Sequence, residues 1–237
     1  PPDIVMSGRE MAFHGITGRG GPITARGCRQ SRGRWPGWAA WGMLRGMPNY
    51  RRAFRPGGTF FFTVVTANRA PILTTAAAIP ILRETIAECR RRWPFAFDAG
   101  VVLPDHLHVI WTLPSDDHDF SRRWAWIKRT FSARYLAAGG TERVVWPGQK
   151  RQRRRGIWQP RFYEHCIRDV EDYNNHLDYI HYNPVKHGLA SCPHAWVQSS
   201  FHRWVAEGGY QQDWACCCDG RAAEPIRFDW ADERYLE

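Results

Sequence analysis

FAFDAGVVLPDHLHVIWTLP, residues 95–114, holds the turn on which the fold depends. The runs FAFDAGVVL and HLHVIWTL are aromatic and β-branched, and they flank the Pro104-Asp105 turn signal. That pattern predicts two neighbouring strands, tightly joined. On the second strand the period of two sets His106 and His108 on one face and Leu107 on the other. Two neutral imidazoles on a rigid strand can take adjacent positions on a divalent ion. The competing account of such a pair is ordinary half-buried polar pairing.

Upstream, TFFFTVVT (Thr59 to Thr66) is apolar on both faces and reads as a central strand. Ile79, Leu82, Ile86, Cys89 and Trp93 recur at steps of 3, 4, 3 and 4, the pattern of an amphipathic helix. Downstream, Phe120, Trp124, Ile127 and Phe131 mark a second helix, whose other side carries Arg122, Lys128 and Arg129. A Gly- and Arg-rich connection leads to RFYEHCI, a short strand candidate. A third helix is expected from Asp169, which can cap it, to Pro184, which has no amide to continue the ladder. Val170, Tyr173, Leu177 and Ile180 form its apolar stripe, and His181 either touches a phosphate or simply falls on a solvated side. The order strand, helix, strand, strand, helix, strand, helix predicts an α+β fold, a mainly antiparallel sheet with helices on one face.

Tyr179 and Asn183 on the third helix are four residues apart, so they share a face beside the apolar stripe. A phenol and an amide carbonyl could both approach a metal from there. Equally, Tyr179 could be a core-edge tyrosine and Asn183 the residue that ends the helix before Pro184.

Composition narrows the partners. The 237 residues carry a net charge of +10, and 30 of the 33 basic residues are arginine, whose donor fork matches phosphate geometry. A polyanion, nucleic acid or an anionic membrane, is the first partner to test. No apolar run reaches the length of a membrane-spanning helix, and the first thirty residues lack a secretory apolar core, so no membrane is expected. Seven cysteines, including the trio Cys216 to Cys218, do not make the even framework of a small oxidised domain, and a cytoplasmic location is expected. Zinc at the trio is discounted, because three consecutive side chains cannot converge and no Cys/His set follows at ligand spacing.

Length allows one domain with tails. Residues 1–46 hold seven arginines against Asp3 and Glu10 and show no sustained period, as expected of a disordered extension or a non-native upstream segment. Residues 219–237 hold six acidic side chains against three arginines and read as an acidic tail. The segment 47–218 therefore keeps about +8.

Taken together, LPDHLHVIWTLP (Leu103 to Pro114), IKRTFS (Ile127 to Ser132), GIWQPRFYEHCIRD (Gly156 to Asp169), LDYIHYNPVKHGL (Leu177 to Leu189) and SSFHRWV (Ser199 to Val205) resemble the REP-associated tyrosine transposases. These are an IS200/IS605-like, single-tyrosine branch of the HUH nucleases, and the resemblance runs from about Asn49 to Trp214. It implies a ferredoxin-like sheet, with His106, His108 and Asn183 holding Mg²⁺ or Mn²⁺ and Tyr179 as nucleophile. It further implies action on single-stranded DNA beside hairpins of repetitive extragenic palindromes, through a 5′-phosphotyrosine link that releases a 3′-OH and stores the bond energy for rejoining.

Arg51, Arg52, Lys128, Arg129, Lys150, Arg151, Arg153, Arg154 and Arg155 are the candidate phosphate contacts, with His165 and His187 as candidate DNA contacts nearer the site. A monomer or a homodimer is compatible with this chemistry. Two other classes compete: a catalytically silent nucleic-acid-binding regulator, and a metal phosphodiesterase that uses water in place of tyrosine.

Overall fold

The computed structural model describes residues 55–144, 148, 151, 155–216 and 226–228. Residues 1–46 and most of 219–237 lie outside this set, as do Arg51, Arg52, Lys150, Arg153 and Arg154 among the proposed phosphate contacts. The elements are β1 (Thr59–Val65), α1 (Ala78–Arg92), β2 (Ala96–Val102), β3 (His106–Thr112), α2 (Phe120–Ala137), β4 (Tyr163–Cys166), α3 (Val170–Lys186) and α4 (Phe201–Ala206). The strands form one antiparallel sheet in the order β2-β3-β1-β4. With β1-α1-β2-β3-α2-β4 as its chain order, this is the expected ferredoxin-like α+β arrangement.

Strand periodicity sorts the core into two layers. Phe60, Phe62 and Val64 of β1 and Leu107, Val109 and Trp111 of β3 point to one face. There they meet Leu82 and Cys89 of α1 and Phe120, Trp124, Ile127 and Phe131 of α2, so that these two helices supply the helix layer expected on one face. Trp111 and Trp124 stack at 4.3 Å between ring centroids, and removal of each such aromatic from water contributes about 1.5–3 kcal/mol. Arg123, fully buried in this layer, donates to the carbonyls of Trp93, Pro94 and Asp119 and to the Asp117 carboxylate at 2.7 Å.

The alternate residues of the strands face the other way. Phe61, Val101 and Ile110 form a second cluster with Leu177, Tyr179 and Ile180, so α3 lies on the sheet face opposite α1 and α2. The outer edge of β2 is closed by an irregular segment, in which the Val102 amide donates to the Gln198 carbonyl and the Ser200 amide to that of Gly100, both at 2.8 Å. Covering an edge in this way removes a template for unwanted strand pairing.

Two expectations for α3 need correction. Asp169 caps it as anticipated, accepting the Asp172 amide, but Pro184 does not end it, and the helix runs on to Lys186. Proline removes only its own donor. The next amides still close the turn, His187 donating to Asn183 and Leu189 to Pro184, and Gly188 supplies the positive φ of 65° that turns the chain out. Val170 is 75% exposed, so the buried stripe starts one turn later, at Tyr173. Among the described residues no helix is long and apolar enough to cross a membrane.

Candidate active site

The central strand β3 enters the sheet at His106, directly after the Pro104-Asp105 turn, and both histidines point to the α3 face. His106 and His108 are 2% and 0% exposed, with ring centroids 4.9 Å apart. Each is oriented by a neighbour through Nδ1. His106 Nδ1 donates to Asp105 Oδ1 at 2.6 Å, and His108 Nδ1 pairs with Thr63 Oγ1 of β1 at 2.9 Å. Burial pushes the Asp105 carboxyl up, but its hydrogen bonds to His106 and Arg69 prevail and hold it at about 2. An ionised carboxylate only accepts, so a His106 proton sits on Nδ1 and Nε2 is the nitrogen turned to the site. Burial, with the neighbouring His106, His187 and Lys186, keeps His108 well below its ordinary range and therefore neutral.

Tyr179, Asn183 and His187 follow one another at single helical turns along α3. Tyr179 is fully buried, its ring 5.2 Å from that of His108 and edge-on to Phe61. His187, at the C-terminal cap, lies 5.2 Å from His106. Asn183, between these two contacts on the same helical face, is fully buried. Lys186 places its ammonium 5.2 Å from the centre of the Tyr179 ring. Phe228, within the acidic segment, packs edge-on against the same ring at 5.2 Å.

Four buried polar atoms here lack a hydrogen-bond partner among the described residues: His106 Nε2, His108 Nε2, and Oδ1 and Nδ2 of Asn183. Leaving such atoms unpaired costs about 1–3 kcal/mol each. Two imidazole nitrogens and an amide oxygen, with Nδ1 of each ring already engaged behind them, are the donors that a divalent ion takes. The residues present therefore fit a metal.

Other candidates fall elsewhere. His165 bonds to Asp172 Oδ2 at 2.8 Å and stacks on His176, and Arg168 Nε reaches the same carboxylate oxygen at 3.0 Å. This hub ties the first turn of α3 to β4, and burial outweighs Asp172 to lower the His165 pKa. Lys128 donates to the carbonyls of Gln159 and Arg161, while Arg129 is exposed, and both stand on α2, across the sheet from the histidines. Arg155 forms a double hydrogen bond with Glu142, and Arg151 is exposed. His181 is not solvated. It is fully buried against Ser200 Oγ at 2.9 Å, and burial lowers its pKa to about 3.

Asp105, Thr63 and Phe61 went unrecognised in the sequence. Asp105 was legible as the residue beside His106. Thr63 was not, because only the β1–β3 register brings it opposite His108. Two groups of described side chains also place potential ligand atoms within 4.8 Å of one another: His165, Asp172 and His176; and Cys192, His194 and Cys216.

A histidine pair on the central strand of such a sheet, facing a tyrosine helix, defines the single-tyrosine class of the HUH superfamily. No protein-family model matches the chain. It is 46% identical over 169 residues to the REP-associated tyrosine transposase of Escherichia coli (strain K12), covering 71% of this chain and 92% of that one. A relative from Haemophilus influenzae is 40% identical over 168 residues, covering 71% and 93%. A solved structure described as a REP-associated tyrosine transposase bound to a REP hairpin aligns with a TM-score of 0.60 and 45% identity, over 76% of this chain and 99% of that one. The chain belongs to the REP-associated tyrosine transposases.

Proposed function

We propose that the protein nicks and rejoins single-stranded DNA beside REP-type hairpins, with Tyr179 as the nucleophile and His106, His108 and Asn183 holding Mg²⁺ or Mn²⁺. The observation that carries this reading is the buried set of unpartnered donors, His106 Nε2, His108 Nε2 and Asn183 Oδ1, on the sheet face and helix face that also hold Tyr179. The family supplies the substrate class, since a relative's solved structure is described as bound to a REP hairpin.

When bound, the ion neutralises charge on the scissile phosphate and orients it for in-line displacement. Asp105 and Thr63 hold the imidazoles in the orientation that presents Nε2. Tyr179 Oη loses its proton and attacks phosphorus. The P–O3′ bond breaks, the departing oxygen takes a proton, and the 5′-phosphate stays on the tyrosine. The Lys186 ammonium stands over the Tyr179 ring, 5.2 Å from its centre. Attack by another 3′-OH on the phosphotyrosine reverses the step and needs no ATP. The same reading includes a cytoplasmic location, a folded unit over 47–218, and action as a monomer or homodimer.

The test is a denaturing gel of protein incubated with Mn²⁺ and labelled single-stranded DNA that carries a REP hairpin. A protein–DNA band is expected, lost in Tyr179→Phe with the fold retained. Cleavage without that band, persisting in the variant, would sink the proposal and favour a water-using phosphodiesterase. Tight hairpin binding with no cleavage by either protein would favour the silent regulator.

A further inference from the structure

The cysteines that the transposase chemistry leaves unused come together away from the histidine pair. Cys192 and Cys216 form a disulfide with a Cα–Cα distance of 4.4 Å across a separation of 24 residues. His194, two residues after Cys192, brings a ring nitrogen into the same cluster, with all three potential ligand atoms within 4.8 Å of one another. His194 Nδ1 is buried without a hydrogen-bond partner among the described residues. The set that Cys216 lacks downstream in the sequence thus lies upstream of it, in the Cys-Pro-His of the turn after α3.

We infer that Cys192, His194 and Cys216 form a redox-dependent zinc site. In the oxidised chain the two sulfurs are bonded to each other and cannot bind metal. A dithiol reductant supplies two electrons and two protons, leaving two cysteine thiols and an oxidised, cyclic disulfide of the reductant. Zn²⁺ then displaces both thiol protons and is held by two thiolates and the His194 imidazole. Zinc–sulfur bonds of about 2.3 Å at a tetrahedral angle set two thiolates about 3.8 Å apart, so once the disulfide is reduced the two side chains rotate apart to share the ion with His194. Soft thiolates select zinc over Mg²⁺ or Mn²⁺, which keeps this site chemically distinct from the His106, His108 and Asn183 set. Water completes four-coordination.

The location gives the site a task. The chain between Cys192 and Cys216 forms an arch over the outer side of α3. Within it Ser200 holds His181, Tyr210 Oη donates to Asp178, and Trp214 packs on Tyr182 and Phe201. Closing the arch, by disulfide in an oxidising medium and by zinc in a reducing one, keeps the tyrosine helix clamped in both. Reducing compartments open such disulfides, and a metal-held closure would persist there.

The test uses Co²⁺ as a probe on the full-length chain, reduced with a dithiol and then desalted without oxygen. Thiolate-to-cobalt charge-transfer absorption is the readout, because sites built only from imidazole, amide or carboxylate cannot produce it. One equivalent of thiolate-bound Co²⁺, displaced by Zn²⁺, is expected in the reduced chain and none in the oxidised chain, while any Co²⁺ at His106, His108 and Asn183 gives no such band. His194→Ala should weaken binding by about tenfold or more and keep the band, whereas Cys216→Ser, at a half-exposed position, should abolish one-equivalent binding with the circular dichroism of the fold intact. A reduced chain without the band, or a band undiminished in Cys216→Ser, would overturn the inference.

Discussion

At His106 one hydrogen bond settles which nitrogen faces the site. The Asp105 carboxylate, itself held by Arg69 at 2.7 Å, accepts from Nδ1, and the ring cannot turn without breaking that pair. Asp105→Asn replaces a charged acceptor with an amide that can present its donor side, which frees the imidazole to reorient. Mn²⁺ affinity measured by titration calorimetry should fall about 10- to 100-fold, with thermal stability little changed. An unchanged affinity would mean that Asp105 serves only the turn. The residue scale also shows the limit of side-chain periodicity: it sets His106 and His108 on one face, yet it does not reveal that Thr63 stands opposite His108 in the β1–β3 register.

At the scale of elements, α3 carries Tyr179 and Asn183 and depends on its ends. The Asp169 side chain caps it at 2.8 Å, and Asp169→Ala should cost about 1 kcal/mol in urea denaturation, an effect at the first turn that leaves Tyr179 in place. On the other face, α2 is locked to the loop before it by the buried Arg123. The hydrogen bond from Arg123 is the main cause that lowers Asp117 to about 2. Such a depressed carboxyl stabilises the fold fully above its unfolded value of about 3.9, and the contribution is lost as pH falls through about 2. Asp117→Asn should therefore destabilise the protein by about 3 kcal/mol at neutral pH, a gap that closes as denaturation is repeated toward pH 2. A gap independent of pH would point to packing in place of charge. The helix that continues through Pro184 belongs to this scale too, because a local rule about proline donors yields where the following turn can close on Asn183 and Gly188.

For the whole molecule, the two helix layers divide labour. α1 and α2 bury the aromatic face of the sheet, and α3 closes the opposite face over the histidines. Every described element lies downstream of residue 54, and about +8 of the net charge belongs to residues 47–218. A chain that starts at Met47 should fold with an unchanged thermal midpoint and bind a REP hairpin with the same dependence on salt, since phosphate contacts set that slope. A flatter slope after truncation would assign the arginines of residues 1–46 to the DNA interface.

The sequence by itself determined the order of strands and helices, the antiparallel α+β class, and the residues His106, His108, Tyr179 and Asn183 with the faces they occupy on their own elements. Period and capping are local properties, carried by side chains a few residues apart. Tertiary structure decided which faces meet: α3 across the sheet from α1 and α2, Thr63 behind His108, His181 buried under Ser200, and Cys192 bonded to Cys216. Those pairings join residues from 19 to 45 positions apart or whole layers, and no period within one element encodes them. They follow from strand register and from burial of both faces of one sheet.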